Sequence, residues 1–190
     1  HFLSKLCHQV YAFEPNPVMR DYLERATGEN VTVYPEALSD RESETLFTVP
    51  KAKNGFRNTS GTLQSEVYPE STSLQFDVMT KRMDDFPIYN VGFIKLDVEG
   101  HELNVLKGAE KLLLRDRPIL LIEITERLSG QSVAHSIREI NAYGYRPLVI
   151  LNGCLTSLNP GQATTLKRSR NVIFLPHEQV SDVVEQAQCG

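Results

Sequence analysis

The first half of the chain alternates short apolar runs with polar turns, a pattern that predicts strands and one helix. Residues 10–13 form a β-branched and aromatic run, and the Pro-rich turn after it leads into a helix that begins near Pro17. Residues 31–38 predict a second strand, with Pro35 suited to the edge of a sheet. The chain therefore begins as strand, turn, helix and strand.

Two extended segments follow, and a polar stretch separates them. Residues 44–49 and residues 74–80 both have the alternation of a strand, so we expect them to pair. Residues 50–73 are rich in Ser, Thr, Gly, Asn and Lys and have neither a helical nor a strand period. A long loop inside a domain is typical of a mobile segment or of part of a binding site.

The second half repeats the alternation of strands and helices more strongly. Residues 92–98 predict a strand, Glu99-Gly100 a turn, and the residues from Glu102 onward a helix with an apolar face. Residues 119–124 are a nearly unbroken apolar run, which is typical of a strand buried on both faces of a parallel sheet. The apolar face of the helix comprises Leu103, Leu106, Ala109 and Leu113.

The remaining elements complete an α/β pattern. Residues 133–143 predict a helix that ends before Gly144, and residues 146–151 and 171–175 predict the last two strands. Strands that alternate with helices indicate βαβ units and a mostly parallel sheet. A chain of 190 residues and 21.5 kDa is in the size range of one domain, so we expect a single α/β domain over residues 1–190.

Composition and charge narrow the class of protein. Hydrophobic residues make up 41% of the chain, enough for a core, and the longest apolar runs are far shorter than the ~20 residues that cross a membrane. A net charge of −4 with scattered basic residues argues against nucleic acid as the main partner. We therefore expect a protein that contacts neither a membrane nor nucleic acid.

The cysteines indicate a reducing environment. Cys7, Cys154 and Cys189 are widely separated and include no Cys-x-x-Cys, which argues against a disulfide framework and against a zinc site. The expected location is therefore the cytoplasm.

Polar side chains follow several of the predicted strands. In α/β sheets ligands bind beyond the carboxyl ends of the strands, so these side chains are the candidates for chemistry. Glu14 can accept hydrogen bonds from both hydroxyls of a ribose, or it can be an ordinary turn acid before Pro15. Asp40 has the same two interpretations. The candidates are Glu14, Asn16, Ser39, Asp40, Asp97, Glu99, His101 and Glu123.

The densest group of such side chains is at residues 97–102, which read DVEGHE. Three carboxylates and an imidazole at a strand-to-helix turn can bind a divalent cation, position a hydroxyl or act as a general base. Alternatively, Asp97 is only a cap, and Glu99 and Glu102 only favour the helix dipole. Magnesium sites normally take ligands from more than one loop, so no metal site is predicted here. The two common phosphate-binding glycine motifs and the Gly-x-Ser-x-Gly nucleophile motif are absent.

Four strings of the sequence resemble the FkbM family of S-adenosylmethionine-dependent methyltransferases. They are VYAFEPNP at residues 10–17, ALSD at 37–40, FIKLDVEGHE at 93–102 and VLKGA at 105–109. The predicted strands at residues 118–123 and 171–176 fit the same family, so the resemblance covers most of the chain. It implies a Rossmann-like methyltransferase fold, in which a mostly parallel seven-stranded sheet has helices on both faces and an antiparallel final strand.

The resemblance also implies roles for the candidate residues. On the donor side, Glu14 would hold the ribose hydroxyls and Asn16 would lie in the adjoining loop. Ser39 and Asp40 would line the adenine end. On the side of the methyl group and the acceptor, the residues would be Asp97, Glu99 and His101. Asp97 is the favoured base because it ends a strand, and His101 is the second choice.

The family implies an O-methyltransferase that acts on a hydroxyl of a sugar or a natural product, so the expected partner is a small molecule or a glycan. A sulfonium methyl group is already activated, and the enzyme has to align an acceptor oxygen with it and remove the hydroxyl proton. Residues 50–73, with Phe56, Asn58 and Tyr68, either cover that acceptor or form a surface insertion. The sequence leaves a homo-oligomer open.

One part of the family pattern is not found. A first strand and a glycine-rich turn normally precede the strand at residues 10–13, whereas residues 1–8 resemble only the end of the following helix. We therefore expect an N-terminally truncated domain that lacks a central strand between those of Phe13 and Ile94, with unpaired backbone groups on both. The alternatives are a non-catalytic relic or assembly subunit of the same fold, and another nucleotide-binding enzyme such as a dehydrogenase, in which DVEGHE would have no role.

Overall fold

A two-stranded parallel sheet and one helix form the start of the fold. The computed structural model describes residues 2–52, 55–56, 60–64, 69–124, 126–151, 153–158 and 171–181. Strand β1 (Val10–Phe13) pairs in parallel with β2 (Val31–Tyr34), and helix α1 (Pro17–Ala26) connects them. Asn16 caps this helix, because its Oδ1 accepts a hydrogen bond from the Val18 amide at 3.0 Å. The first predicted strand and helix are confirmed.

The chain changes sheets after β2. The single strand predicted over residues 31–38 is wrong, because a separate two-residue strand, β3 (Ala37–Leu38), belongs to a different sheet. Pro35 lies between the two strands, where a residue without an N–H costs no ladder hydrogen bond.

A long antiparallel hairpin dominates the second sheet. Strand β4 (Ser43–Ala52) pairs with β6 (Ser73–Lys81) over eight residue pairs, which confirms the predicted pairing of the two extended segments. The short strand β5 (Gly55–Phe56) adds to β4, and a 3-10 turn at Glu70–Thr72 precedes β6. Residues 50–73 therefore have more regular structure than predicted. The order of this sheet is β3-β6-β4-β5.

The third sheet is mixed. Its strands are β7 (Phe93–Leu96), β8 (Ile119–Glu123), β9 (Tyr145–Leu151), β10 (Cys154–Ser157) and β11 (Asn171–Pro176). Their order is β10-β9-β11-β8-β7, and β7–β8 is the parallel pair. The mostly parallel sheet predicted from the βαβ pattern is not what these residues form, because β11 runs antiparallel between β8 and β9, and β10 returns from β9 as a hairpin.

The helix predicted from Glu102 is broken into two. Helix α2 (Glu102–Lys107) ends at Gly108, and α3 (Glu110–Asp116) begins after Ala109, whose φ of −117° and ψ of 13° are not helical. The apolar face survives the break, and its buried members are Leu106, Ala109 and Leu113.

Two further helices follow β8. They are α4 (Glu126–Ser129) and α5 (Val133–Ala142), and Ser132 caps α5 by accepting a hydrogen bond from the His135 amide at 3.2 Å. Gly144 has φ of 80° and lies just past the end of α5, as predicted. Among the described residues, no helix has both the length and the apolar character needed to cross a membrane.

The main core lies between the third sheet and its helices. In β8, Leu120 and Ile122 have no exposed surface, whereas Ile119 and Leu121 are half-buried, so the strand is fully buried on one face only. Phe13 of β1 packs against this same core. A second, smaller cluster lies in the sheet of β4 and β6 and comprises Ala37, Phe47, Val49 and Val78.

Two local predictions are corrected. Cys154 is disulfide-bonded, so the expectation of a chain without disulfides is wrong at this residue, while Cys7 is a free thiol. Cys189 lies outside the described residues. The predicted end of a helix within residues 1–8 is one 3-10 turn, Leu3–Lys5.

Candidate functional site

The turn after β1 carries two of the predicted donor-binding residues. Glu14 is half-buried, and its Oε1 accepts a hydrogen bond from the Asn16 amide at 2.9 Å. Burial raises the pKa of Glu14, and the Asn16 amide and Arg20 partly offset that rise. The bond to Asn16 engages one carboxylate oxygen of Glu14. Among the described residues, no hydrogen bond engages the other oxygen, which can therefore accept one from a ligand hydroxyl. Asn16 itself has no exposed surface, and its side chain caps α1, which is a structural role.

Three predicted residues from distant parts of the chain meet at one point. Ser39 and Asp40 follow β3, and His101 precedes α2. The Oγ of Ser39 lies 2.9 Å from His101 Nε2 and 3.2 Å from Asp40 Oδ1. We call these three residues the serine–histidine cluster. A pocket of about 100 Å³ adjoins the cluster, and its other walls include Arg41, Leu63 and Asn104.

Counting protons in this cluster identifies the basic nitrogen of His101. A hydroxyl has one proton to donate, and a carboxylate only accepts. In the arrangement in which Ser39 donates its proton to Asp40, the imidazole donates the Nε2 proton to Ser39 Oγ. The neutral ring then has its lone pair on Nδ1.

The surroundings of His101 favour that neutral ring. Burial lowers the pKa of the imidazole below its ordinary value of 6.5. The negative charge of Asp40 opposes this shift, and the positive charge of Arg41 adds to it. At neutral pH, Nδ1 of His101 is therefore able to accept a proton.

Helix α2 rests on the Ser39 segment at both of its ends. His101 contacts the Ser39 hydroxyl at one end, and Gly108 packs on the Ser39 carbonyl at the other. A Cβ at residue 108 would overlap that carbonyl oxygen and lie 3.3 Å from Arg82 Cα. The Gly108 carbonyl also accepts a hydrogen bond from the Asp84 amide at 3.0 Å. Sequence reasoning gave Gly108 no role, because a close approach between distant segments has no local signature.

The carboxylates at the ends of β7 and β8 lie apart from the serine–histidine cluster. Asp97 Oδ2 is 3.1 Å from Lys95 Nζ, and half of the Asp97 side chain is exposed. Glu123 ends β8 opposite Asn171 of β11. No hydrogen bond or ion pair of the described residues links Asp97 to the cluster, and no group of three or more potential ligands among them is arranged to hold a metal ion.

The turn between β7 and α2 has an unusual backbone. Glu99 has φ of 48°, which is uncommon for a residue other than glycine, and Gly100 has φ of 97°. The Gly100 amide donates to Glu102 Oε1 at 3.0 Å, and burial raises the pKa of Glu102. A Cβ at Gly100 would lie 2.7 Å from the backbone of Leu128 and Ser129. Both the dihedral angle and the close approach therefore require glycine at this position.

Part of the long insertion reaches this turn. Thr62 Oγ1 donates to the Glu99 carbonyl at 3.0 Å, and Gln64 Nε2 donates to the Gly100 carbonyl at 3.4 Å. Sequence reasoning missed both residues, because they lie in a stretch without any period. The insertion residues predicted to cover an acceptor, namely Asn58, Tyr68 and the side chain of Phe56, lie outside the described residues.

A larger cleft lies beside β6. Its volume is about 560 Å³, and its walls include Pro15, Pro17, Arg20, Glu36 and Met79. None of the predicted site residues lines it, whereas the small pocket is lined by three of them. We therefore place the candidate site at the serine–histidine cluster, on chemistry rather than on size.

Known proteins resemble this chain in sequence and in fold. The family model described as the Methyltransferase FkbM domain matches residues 1–147. A crystal structure of methyltransferase FkbM from Methylobacillus flagellatus KT is similar in fold, with a TM-score of 0.51 and 18% sequence identity. The similarity covers 88% of this chain and 36% of that chain, so this chain spans roughly a third of the solved protein. No curated protein matches the chain.

Proposed function

Since the chain belongs to the methyltransferase FkbM family, we propose that it forms a domain that binds S-adenosylmethionine and transfers its methyl group to a hydroxyl of a sugar or natural-product acceptor. The observation that carries this proposal is the contact between Ser39 and His101. Ser39 and Asp40 are assigned to the adenine end of the donor, and His101 is assigned to the acceptor. The contact places the segment after β3 and the turn after β7 at one site, which supports a common binding site for the donor and the acceptor.

The proposal includes the complete Rossmann-like sheet with helices on both faces. In this arrangement β2 and β1 lie on one side, β7, β8, β11 and β9 lie on the other, and one more strand pairs with both β1 and β7. Support comes from the parallel pairs β1–β2 and β7–β8 and from the antiparallel direction of β11. Among the described strands, neither β1 nor β7 pairs on its second edge. Phe13 of β1 also packs on the core that contains Ile94 and Leu96 of β7.

On the donor side, we assign Glu14 to bind the ribose hydroxyls. One of its oxygens is engaged by the Asn16 amide, which holds the carboxylate in place, and the other can accept a hydrogen bond from a hydroxyl. We keep Asn16 as the residue that orients this turn, because its side chain is buried in the cap of α1.

On the acceptor side, we assign proton removal to His101 rather than to Asp97, which the sequence favours. Asp97 is half exposed, its carboxylate is paired with Lys95, and no hydrogen bond or ion pair of the described residues links it to the serine–histidine cluster. His101 has a neutral ring with an unprotonated Nδ1 held in place by Ser39. S-adenosylmethionine supplies an activated methyl group when bound. His101 would accept the acceptor's hydroxyl proton at Nδ1, and Glu99 would face the substrate.

The proposed acceptor is a small molecule or a glycan. A homo-oligomer is also part of the proposal. The cytoplasmic location predicted from the sequence is also part of the proposal, although a disulfide bond such as that of Cys154 is more typical of oxidising compartments.

Calorimetric titration with S-adenosylhomocysteine tests the donor site. We expect binding by this chain or by a longer protein that contains it. Glu14→Ala should weaken binding by about 1 to 3 kcal/mol, because a charge-assisted hydrogen bond is lost. Glu24→Ala is the matched control, since Glu24 is an exposed glutamate on α1. Absence of binding in both forms would favour the non-catalytic alternative, and unchanged affinity in a folded Glu14→Ala variant would contradict the role of Glu14.

Transfer of a labelled methyl group to a panel of monosaccharides and phenols tests the acceptor side. His101→Gln should lower turnover by about 10² to 10⁴ while the affinity for S-adenosylhomocysteine stays the same, because a base acts only in the transition state. Asp97→Asn should have the smaller effect on turnover. The reverse ranking would return the role of base to Asp97.

A further inference from the structure

Residues 60–64, which we call the bridging segment, link two parts of the fold that are distant in sequence. Thr62 exchanges two backbone hydrogen bonds with Thr48 of β4, each at 2.9 Å. Its hydroxyl donates to the carbonyl of Glu99, 37 residues away, at 3.0 Å. Thr62 is only 1% exposed, so this hydroxyl is a buried polar group with a defined partner.

The bridging segment is anchored on both sides of Thr62. At Gly61 a Cβ would overlap the ring of Phe47, so the backbone lies directly on that side chain. Leu63 packs against the cluster around Phe47 and also lines the pocket beside the serine–histidine cluster. The Gln64 amide donates to Thr62 Oγ1 at 3.1 Å, so the same hydroxyl both donates and accepts. The segment is therefore a defined part of the site wall.

The partner of Thr62 is the residue with the most unusual backbone near the site. A left-handed conformation at a residue other than glycine is costly and persists only when its surroundings hold it. Thr62 and Gln64 donate to the two successive carbonyls of Glu99 and Gly100, which orients both peptide planes. His101 follows directly, and its ring must reach Ser39 from this turn.

We propose that Thr62 is a positioning residue, whose hydroxyl holds the Glu99–Gly100 turn so that the ring of His101 lies against Ser39. The role of His101 in methyl transfer rests on the proposed function. The contact itself does not, so it can be tested on the unliganded protein.

The test is a nuclear magnetic resonance pH titration of the His101 ring, together with the Cα shift of Glu99, which reports its φ. Thr62→Val removes the hydroxyl and keeps the shape, and Thr62→Ser keeps the hydroxyl. Thr72→Val is the matched control, because the Thr72 hydroxyl donates to the Pro69 carbonyl at 3.1 Å within the same insertion and lies in solvent. The charged groups beside His101 are Asp40 and Arg41, and all these variants keep them.

In Thr62→Val we expect the midpoint of His101 to rise toward 6.5, because the ring becomes more hydrated, and the Glu99 signal to shift or split. Thr62→Ser should restore both signals, and Thr72→Val should leave both unchanged. A folded Thr62→Val protein with the wild-type titration and Glu99 shift would overturn the inference, as would failure of Thr62→Ser to restore them.

Two further measurements separate the outcomes. If Thr62→Val does not fold, Gln64→Leu removes the neighbouring bond to Gly100 and should shift the same signals in the same direction; no shift would overturn the inference. Titration of the wild-type protein with S-adenosylhomocysteine tests the proposed function separately. If neither this chain nor the longer protein binds while Thr62→Val still shifts the His101 titration, the donor site is rejected and the positioning role of Thr62 stands.

Discussion

Replacing Gly108 by alanine should destabilise the protein, although the backbone at this position suits any residue. Gly108 has φ of −75° and ψ of −3°, so alanine has no conformational penalty here. The obstacle is steric, because the new Cβ would overlap the Ser39 carbonyl oxygen and lie 3.0 Å from its carbon and 3.3 Å from Arg82 Cα. All three atoms belong to the backbone, so no side chain can rotate away.

The size of the effect follows from two opposing contributions. Overpacking costs about 1 to 3 kcal/mol, and the upper end applies because backbone segments must move. Removing a glycine restricts the unfolded chain and returns up to about 1 kcal/mol. We therefore expect the free energy of unfolding to fall by about 2 kcal/mol, a large part of the ~5 to 15 kcal/mol typical of a domain.

Urea unfolding followed by circular dichroism measures this change, with an unchanged slope as the sign that only stability has changed. Gly92→Ala is the control, because a Cβ there meets nothing within 4 Å. We expect Gly92→Ala to be neutral or slightly stabilising. If Gly108→Ala is no more destabilising than Gly92→Ala, α2 does not rest on the Ser39 segment, and the position that we infer for His101 is wrong.

Three other predictions concern charge and backbone. The salt bridge with Arg117 lowers the pKa of Glu178 from 4.5 to about 2, so the contribution of this salt bridge to stability is present above about pH 4.5 and is lost as the pH falls toward 2. Glu178→Gln should remove that part of the pH dependence of urea unfolding, and added salt should weaken the salt bridge. The ring of His101 should titrate below 6.5, and a ring that titrates at or above 6.5 would contradict the burial of His101. Because the unfolded chain binds this proton at higher pH than the folded chain, the free energy of unfolding should fall as the pH drops below 6.5. Gly100→Ala should lower the free energy of unfolding by about 3 kcal/mol in the same assay, because alanine would have to adopt a left-handed conformation and its Cβ would overlap Leu128. A loss under about 1 kcal/mol would show that this turn is free to move.

Local patterns were sufficient where an element depends on its own residues. Helix α1 begins at Pro17 with Asn16 as its cap, and α5 ends just before Gly144, all as the sequence predicts. The antiparallel pairing of β4 with β6 is also predicted from the sequence, since both segments have the alternation of a strand.

The errors arise where a distant segment decides the structure. The strand predicted over residues 31–38 ends early, because Ala37 pairs with Thr80, far away in sequence. The helix predicted from Glu102 breaks at Gly108, where the backbone meets Ser39. The third sheet is mixed because β11 inserts between β8 and β9.

The candidate site divides in the same way. The rule that ligands bind beyond strand ends selects Ser39, Asp40 and His101 from the sequence, together with Asp97. It does not say that the first three touch each other or that Asp97 pairs with Lys95 instead. Thr62 has no sequence signal at all, because its partner is a backbone carbonyl and every residue has one.

The sequence by itself determined the family, the alternation of strands and helices, and the set of residues that can carry chemistry. Hydrophobic period and turn residues report the surroundings of each position along its own segment, and family strings report shared descent. Only the tertiary structure decided which of these residues meet, that α2 rests on Ser39, and that Thr62 holds the turn before His101. Those contacts join segments tens of residues apart, and they depend on the path of the backbone, which no local pattern encodes.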